Sequence, residues 1–341
     1  MPVAKPAKKI PPAAPIAEDL LWGGWNTCTI AAAVELEVFT AIAHGKTTAA
    51  DIAREVSANE SMLRRLLDTL VAMKYLTRKG DRYALTPASA TYLVRDSDLY
   101  MEGGGGFARG QMMGWFQLAE VIRRGAPLTL PGGPEASGEF FAMLVKVIFP
   151  FGNAAARELV AKLGAGVRAR IKSVLDIGAG AAAWSIPFAQ AGRATRVTVV
   201  DMPQVTAVTR QYAEKFGVAT QYNYIDGDLH TVDLGKERYD LVILGHIVHG
   251  EGRERGARLL ARCAEALRER GMLLIAEFIP NDDRSGPPLP MLFGLNMMIH
   301  VPEGDVFTMK EYRGWLKAAG FRSVKTIRTP SAPSPLILAT R

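Results

Sequence analysis

The chain has 341 residues, 48% of them hydrophobic and 22% charged, which is enough apolar side chain for a large core and, at about 100 to 200 residues per domain, for two domains. That charged share excludes extended disorder beyond the ends. The net charge of +7 admits an acidic ligand, a membrane surface or nucleic acid, but Lys and Arg are spread over the whole length and read as solvated surface.

Cys28 and Cys263 stand alone and far apart in sequence, so neither a disulfide framework nor a cysteine metal knuckle is expected, and a reducing, cytoplasmic setting fits. Residues 1–17 open with lysines and prolines but no signal-peptide core and read as a flexible tail. No apolar run approaches the roughly 20 residues of a membrane span, so no membrane partner is expected.

Residues 18–100 read as a mainly helical, winged-helix-like domain. One helix runs from about Ile30, with Val34, Val38, Phe39 and Ile42 at helical spacing, and ends at Gly45. A second starts with Thr47 or Thr48 as its N-cap; a third, capped by Ser57 or Asn59, carries Met62, Leu66, Leu70 and Met73 at steps of three and four. Two short β runs around Lys79-Gly80-Asp81 complete the pattern as a hairpin. Such a domain can place its third helix, here bearing Arg64 and Arg65, on DNA, or use those arginines as no more than a polar face. Residues 101–165 read as a helical linker rich in Met and Phe, broken by glycines at 103–106 and by Leu130–Pro134; Trp115 and Phe116 are candidates to line an apolar acceptor pocket as well as core.

From 166 to 341 strands and helices alternate: SVLDI, a helix from about Ala182, RVTVV, a helix around Val205–Phe216, QYNYI, YDLVIL, a helix from about Arg253 to Arg268, and MLLIAEF. Near-continuous apolar strands between helices predict a buried, doubly wound parallel sheet of α/β class. FRSVKTIR and PLILATR read as a closing antiparallel hairpin.

The strand ending at Asp176 and Ile177 opens through Gly178 and Gly180 into a helix, a turn in which glycine lets backbone approach a ligand. Asp201 ends the next strand, where a carboxylate can accept both ribose hydroxyls of an adenosine; Asp228 follows the third, placed to meet an adenine amino group with Leu229 against the ring. A nicotinamide cofactor fits the glycines too, but Asp176 would crowd a pyrophosphate, and it suits a cationic methionyl amino group better.

On LeuAspIleGlyAlaGly, ValAspMetProGlnVal, GlyAspLeu, TyrAspLeuValIleLeuGlyHisIleValHis and GlyMetLeuLeuIleAlaGlu, the chain from about Ile30 onward resembles the class I S-adenosylmethionine-dependent methyltransferases with an N-terminal dimerisation domain, the family of plant and bacterial phenol O-methyltransferases and acetylserotonin O-methyltransferase. The resemblance implies a Rossmann-like methyltransferase domain, a homodimer formed through the N-terminal domain, and S-adenosylmethionine held by Gly178, Asp201, Met202, Asp228, Leu229 and the backbone near Gly245, with His249 as catalytic base. Glu277 would orient His249 or the acceptor hydroxyl, and Met297 and His300 lie on a helix that borders the acceptor. Two departures stand out: Ala179 and Ala182 replace common glycines, at little cost if φ is negative, and Gly250-Glu251 stands where Asp-Trp is typical.

His246 precedes His249 by three positions and shares a helical face with it, so both belong with the acceptor site; with His300 they offer a metal-assisted alternative for an α-keto acid acceptor, although no metal is the simpler reading. The expected activity is O-methylation of a small aromatic or polyketide-like hydroxyl in secondary metabolism. Carbon methylation is the runner-up, and a winged-helix DNA-binding regulator with a ligand-sensing α/β domain is the competing class.

Overall fold

The computed structural model describes residues 14–128 and 133–341, and the chain divides into two compact units. The first runs to Ser97 and includes Gly104–Gly110; the second comprises Asp98–Gly103 and Gln111–Arg341. Most of the expected tail, up to residue 13, and the first part of the Leu130–Pro134 break lie outside the described residues.

In the first unit α1 (Ala14–Ala17) and a π-helical turn (Glu18–Trp22) lead into α2 (Trp25–Glu35), α3 (Val38–Ala43), α4 (Ala49–Glu55) and α5 (Glu60–Ala72), followed by the hairpin β1 (Leu76–Lys79) and β2 (Arg82–Leu85), and by α6 (Pro87–Tyr92). Thr48 caps α4 by accepting the Asp51 N–H (3.2 Å), and Asn59 caps α5 by accepting the Met62 N–H (3.1 Å). The helix expected to run unbroken to Gly45 is two helices, because Glu37 turns left-handed (φ +57°) between them. The reason is tertiary: Val38 through Ile42 are all buried, so α3 is enclosed around its whole circumference and must leave the line of α2. These side chains join Ile52, Leu63, Leu67, Leu70 and Tyr83 in one core. Arg64 is paired with Glu60 (2.7 Å), a solvated helix pair.

The second unit continues with α7 (Gly104–Trp115, of which Gly104–Gly110 belong to the first), α8 (Leu118–Arg124), α9 (Gly133–Lys162) and α10 (Ala165–Arg170). Contrary to the expectation from apolar run length, Ser137–Lys162 of α9 is long and apolar enough to cross a membrane by length and composition; in the fold it buries Phe149, Ala155, Ala156 and Leu159 in the core. Then come β3 (Ser173–Ile177), α11 (Ile186–Ala191), β4 (Arg196–Asp201), α12 (Pro203–Lys215), β5 (Tyr222–Asp226), β6 (Tyr239–Gly245), α13 (Val248–Ala266), β7 (Leu267–Ala276), α14 (Pro288–His300), α15 (Met309–Ala318), β8 (Ser323–Ile327) and β9 (Leu336–Thr340). The sheet order is β5-β4-β3-β6-β7-β9-β8, with β3 to β7 parallel and β9 antiparallel to both neighbours. The closing hairpin is therefore inserted: its second strand pairs with β7 and its first forms the edge. Two buried layers flank the sheet, one toward α9, α11 and α12, the other toward α13 and α15.

The chain order reverses at β3, with β4 on one side and β6 on the other. The carboxyl ends of β3, β4 and β6 at such a switch point open a crevice in which doubly wound sheets bind ligands.

Candidate functional site

At the end of β3, Gly178 and Gly180 both have left-handed backbone, φ +63° and +57°. A Cβ at Gly178 would lie 2.2 Å from the Ile247 Cδ1, so glycine is favoured there by its left-handed conformation, and any side chain would also have to displace Ile247. The helix expected from about Ala182 begins only at Ile186, and Ala182 itself has φ +58°. The condition under which alanine would be cheap at 182 is thus not met, and a buried left-handed alanine costs about 1–2 kcal/mol. Asp176 is 1% exposed and its Oδ2 has no hydrogen-bond partner. Burial, against a hydrogen bond from Ser185 and with the nearby Asp201 charge adding to it, pushes its pKa up to about 7. An orphaned buried carboxylate oxygen beside a turn where added Cβ atoms do not fit is suited to a cationic amino group.

Asp201 closes the turn from β4: Oδ2 accepts the Gly180 N–H (2.9 Å) and Oδ1 accepts the N–H of half-buried Met202 (2.8 Å). A carboxylate has about four acceptor sites, so two bonds leave capacity for hydroxyls. Asp228 lies two residues beyond β5, exposed, with Oδ1 taking the His230 N–H (2.9 Å). Leu229 is half-buried against the core, and its carbonyl accepts from Arg262. Gly245 ends β6 against Trp184, whose Cδ1 would stand 2.2 Å from a Cβ.

His249 sits in a single helical turn at the start of α13, which breaks at Gly252 (φ +70°); the helix resumes at Arg253, where the sequence places its start. Three bonds hold this residue: the ring Nδ1 meets Glu277 Oε2 (2.7 Å), the backbone N–H donates to Glu277 Oε1 (3.2 Å), and the carbonyl accepts the Asp305 N–H (3.0 Å). Glu277 follows β7 directly and is 2% exposed. Burial alone would raise its pKa, but the His249 charge and hydrogen bonds outweigh this and hold it below the ordinary glutamate value. An ionised carboxylate only accepts, so Nδ1 carries a proton toward Glu277, and whenever the ring is uncharged its lone pair lies on Nε2, where it can act as a base.

Around this pair the structure gathers aromatic rings. Phe293 meets His249 edge-on (4.8 Å between centroids) and stacks on Phe278 (3.8 Å). His246 lies among Phe278 (5.2 Å), Phe151 and Trp184 (5.9 Å each) and His249 (6.5 Å). Among the described residues, His246, His249 and Glu277 form a cluster whose ligating atoms lie within 4.8 Å of one another; His300, expected as the third member, is not in it. His300 and Trp115 lie on the α7–α14 contact, where Gly114 faces His300 and Trp115 Nε1 donates to Asn296 (3.1 Å). Met297 is buried, and Phe116 is 79% exposed, which removes it from any enclosed pocket lining within this chain.

Trp184, Phe278 and Phe293 escaped sequence reasoning, although a tryptophan just after a glycine-rich turn and a phenylalanine after a strand-end acid were available signals. So did a cluster in which Glu251, the residue in the Trp position, pairs with His230 and Arg255 (3.1 Å to the latter).

A model of the O-methyltransferase domain matches residues 155–322, and one of the O-methyltransferase dimerisation domain matches residues 19–95. The chain is 30% identical over 322 residues to 3-hydroxy-5-methyl-1-naphthoate 3-O-methyltransferase of Streptomyces sahachiroi, covering 92% of this chain and 91% of that one. It is 28% identical to the tetracenomycin polyketide synthesis 8-O-methyltransferase of Streptomyces glaucescens, over 93% and 94% of the two chains. Human N-acetylserotonin methyltransferase, solved with S-adenosylmethionine, shares the fold with a TM-score of 0.82 at 24% identity, over 99% of both chains.

Proposed function

For a chain that belongs to the O-methyltransferase family, and is therefore an S-adenosylmethionine-dependent enzyme with a dimerisation domain, we propose that the acceptor is a hydroxyl on an aromatic or polyketide-like scaffold and that His249 is its base. The observation that carries this reading is the His249–Glu277 pair, with Nδ1 bonded at 2.7 Å to a buried carboxylate at the carboxyl end of the sheet.

The bound sulfonium supplies an electrophilic methyl group. Asp176 would hold its amino group, the Gly178–Gly180 turn its methionyl backbone, Asp201 with Met202 the ribose, and Asp228 with Leu229 the adenine. The protein's own chemistry is positioning and one proton transfer. His249 Nε2 takes the hydroxyl proton as the oxygen attacks, and Glu277 holds the ring in the required tautomer and stabilises the imidazolium. Phe278 and Phe293 supply flat apolar surface beside the base, which suits an aromatic ring. The relatives that act on a naphthoate and on a tetracenomycin polyketide support that scaffold class.

Ile16, Leu20, Leu21 and Trp25 are 59% or more exposed on the leading helices. Contiguous apolar side chains of this kind support a homodimer formed through the N-terminal unit. Both cysteines are free, which supports a reducing, cytoplasmic setting.

The test is His249→Ala assayed against hydroxylated naphthalenes. Cofactor affinity by calorimetry stays at the wild-type value while turnover falls by about 10²–10⁴. Unchanged turnover refutes the base assignment.

A further inference from the structure

His246 is held in a conformation and an environment that its own fold does not repay. Its backbone is left-handed at φ +63°, a conformation uncommon for residues other than glycine. The backbone N–H is anchored to the Ala276 carbonyl (2.8 Å), so the ring is committed to the space between Phe151, Trp184, Phe278 and His249. Within that space Nδ1 and Nε2 are both shielded from water and both lack a hydrogen-bond partner. Buried polar atoms in native folds are almost always satisfied, and the exceptions concentrate where a ligand completes them.

Building on the reading of His249 as base, we infer that the acceptor carries a second, uncharged oxygen on the carbon adjacent or peri to the one bearing the methylated hydroxyl, and that this oxygen hydrogen-bonds to His246. The spacing allows proximity: a ring nitrogen of His246 and one of His249 lie within 4.8 Å of each other, so an oxygen at about 2.8 Å from His246 and the reacting hydroxyl fit on neighbouring positions of one scaffold. The charge requires neutrality. Burial lowers the His246 pKa to about 4, with Glu277 opposing and His249 adding to that effect, so the imidazole offers one N–H and one lone pair; a carbonyl meets the N–H, and a second hydroxyl meets either one of them. A carboxylate at the same place would meet the buried Glu277 carboxylate of the same cluster.

The experiment compares matched acceptors: 1-naphthol with 1,8-dihydroxynaphthalene, 2-naphthol with 2,3-dihydroxynaphthalene, and the charged 3-hydroxy-2-naphthoate. Each is measured for binding to the enzyme saturated with S-adenosylhomocysteine and for kcat/KM with S-adenosylmethionine. The dioxygenated member of at least one pair is expected to bind more tightly and to exceed its partner by about tenfold or more in kcat/KM, while the carboxylate shows no such gain. His246→Gly, at ease at this φ, brings the ratio to about one. His246→Asn, which tolerates the left-handed region and keeps an amide, retains part of it. Cofactor affinity and thermal melting on both variants report an intact fold.

Equal binding and turnover within both pairs, a preference unchanged in His246→Gly, or no binding by any member overturns the inference. So does a stoichiometric divalent metal whose removal by chelator abolishes the preference, since the same atoms would then serve an ion. Selective, His246-dependent binding of the dioxygenated acceptors leaves the inference standing even where His249→Ala turnover refutes the base role of His249.

Discussion

Asp176→Asn isolates the proposed contact to the cofactor's amino group. The wild-type carboxyl is moved by burial from 3.8 to about 7, which at 1.36 kcal/mol per tenfold corresponds to about 4 kcal/mol against ionisation in the unliganded site. An ammonium placed on the orphaned Oδ2 reverses that penalty, so binding draws the proton off. Between pH 5.5 and 7, below the range of about 7.7–8.0 in which an α-amino group itself titrates, affinity for S-adenosylmethionine should rise by up to about tenfold per pH unit and then level. Without cofactor the sign is opposite: the unfolded chain gives up its proton first, so fold stability declines as pH rises from about 4 to about 7. Calorimetry in two buffers of different ionisation enthalpy measures both the affinity and the proton released. In Asp176→Asn the affinity is lower at pH 7 and flat with pH, and proton release disappears. A wild-type affinity independent of pH across that window, or a variant that binds like wild type, would refute the reasoning.

Glu277→Gln keeps the shape but removes the charge that sets the His249 tautomer, so kcat falls by about 10²–10⁴ with cofactor affinity retained, as single-turnover kinetics would show. Because the Glu277 pKa is lowered in the fold, its stabilisation is present above about 4.3 and lost as pH falls through the lowered value; wild type and Glu277→Gln should differ less in melting temperature at pH 4 than at pH 7. Gly178→Ala imposes a left-handed alanine, costing about 1–2 kcal/mol, and a clash with Ile247; the steric part, but not the backbone part, should be relieved in the Ile247→Ala background, measured by denaturant unfolding. Thr308→Ala breaks the capping box with Glu311 and should lower stability by about 0.5–2 kcal/mol in the same assay while leaving cofactor affinity unchanged.

The parallel sheet was legible because most of its strands are short apolar runs bounded by turn residues, and Asp176, Asp201 and His249 were legible because they stand at or just after the strand ends, where local sequence position translates into spatial position. Helix starts read less well. The left-handed turn through Ala182 delays α11 to Ile186, a conformation that periodicity does not report, whereas α13 resumes after the break at Gly252 where its pattern starts. Phe116 is exposed and His300 lies outside the His246–His249–Glu277 cluster, because periodicity within a helix does not say which face meets the base.

Sequence by itself determined the order of elements, the two-unit division of labour and the chemistry available at the carboxyl edge of the sheet, because those depend on local pattern and on which residue ends each strand. Only tertiary structure decided between the two roles open to Glu277, pairing it with His249 28 positions away, and showed that β9 inserts between β7 and β8 and that His246 is enclosed with no partner for either nitrogen. Each of these depends on side chains distant in the chain meeting in three dimensions, where burial and like or opposite charge set what a residue can do, and no local pattern encodes that meeting.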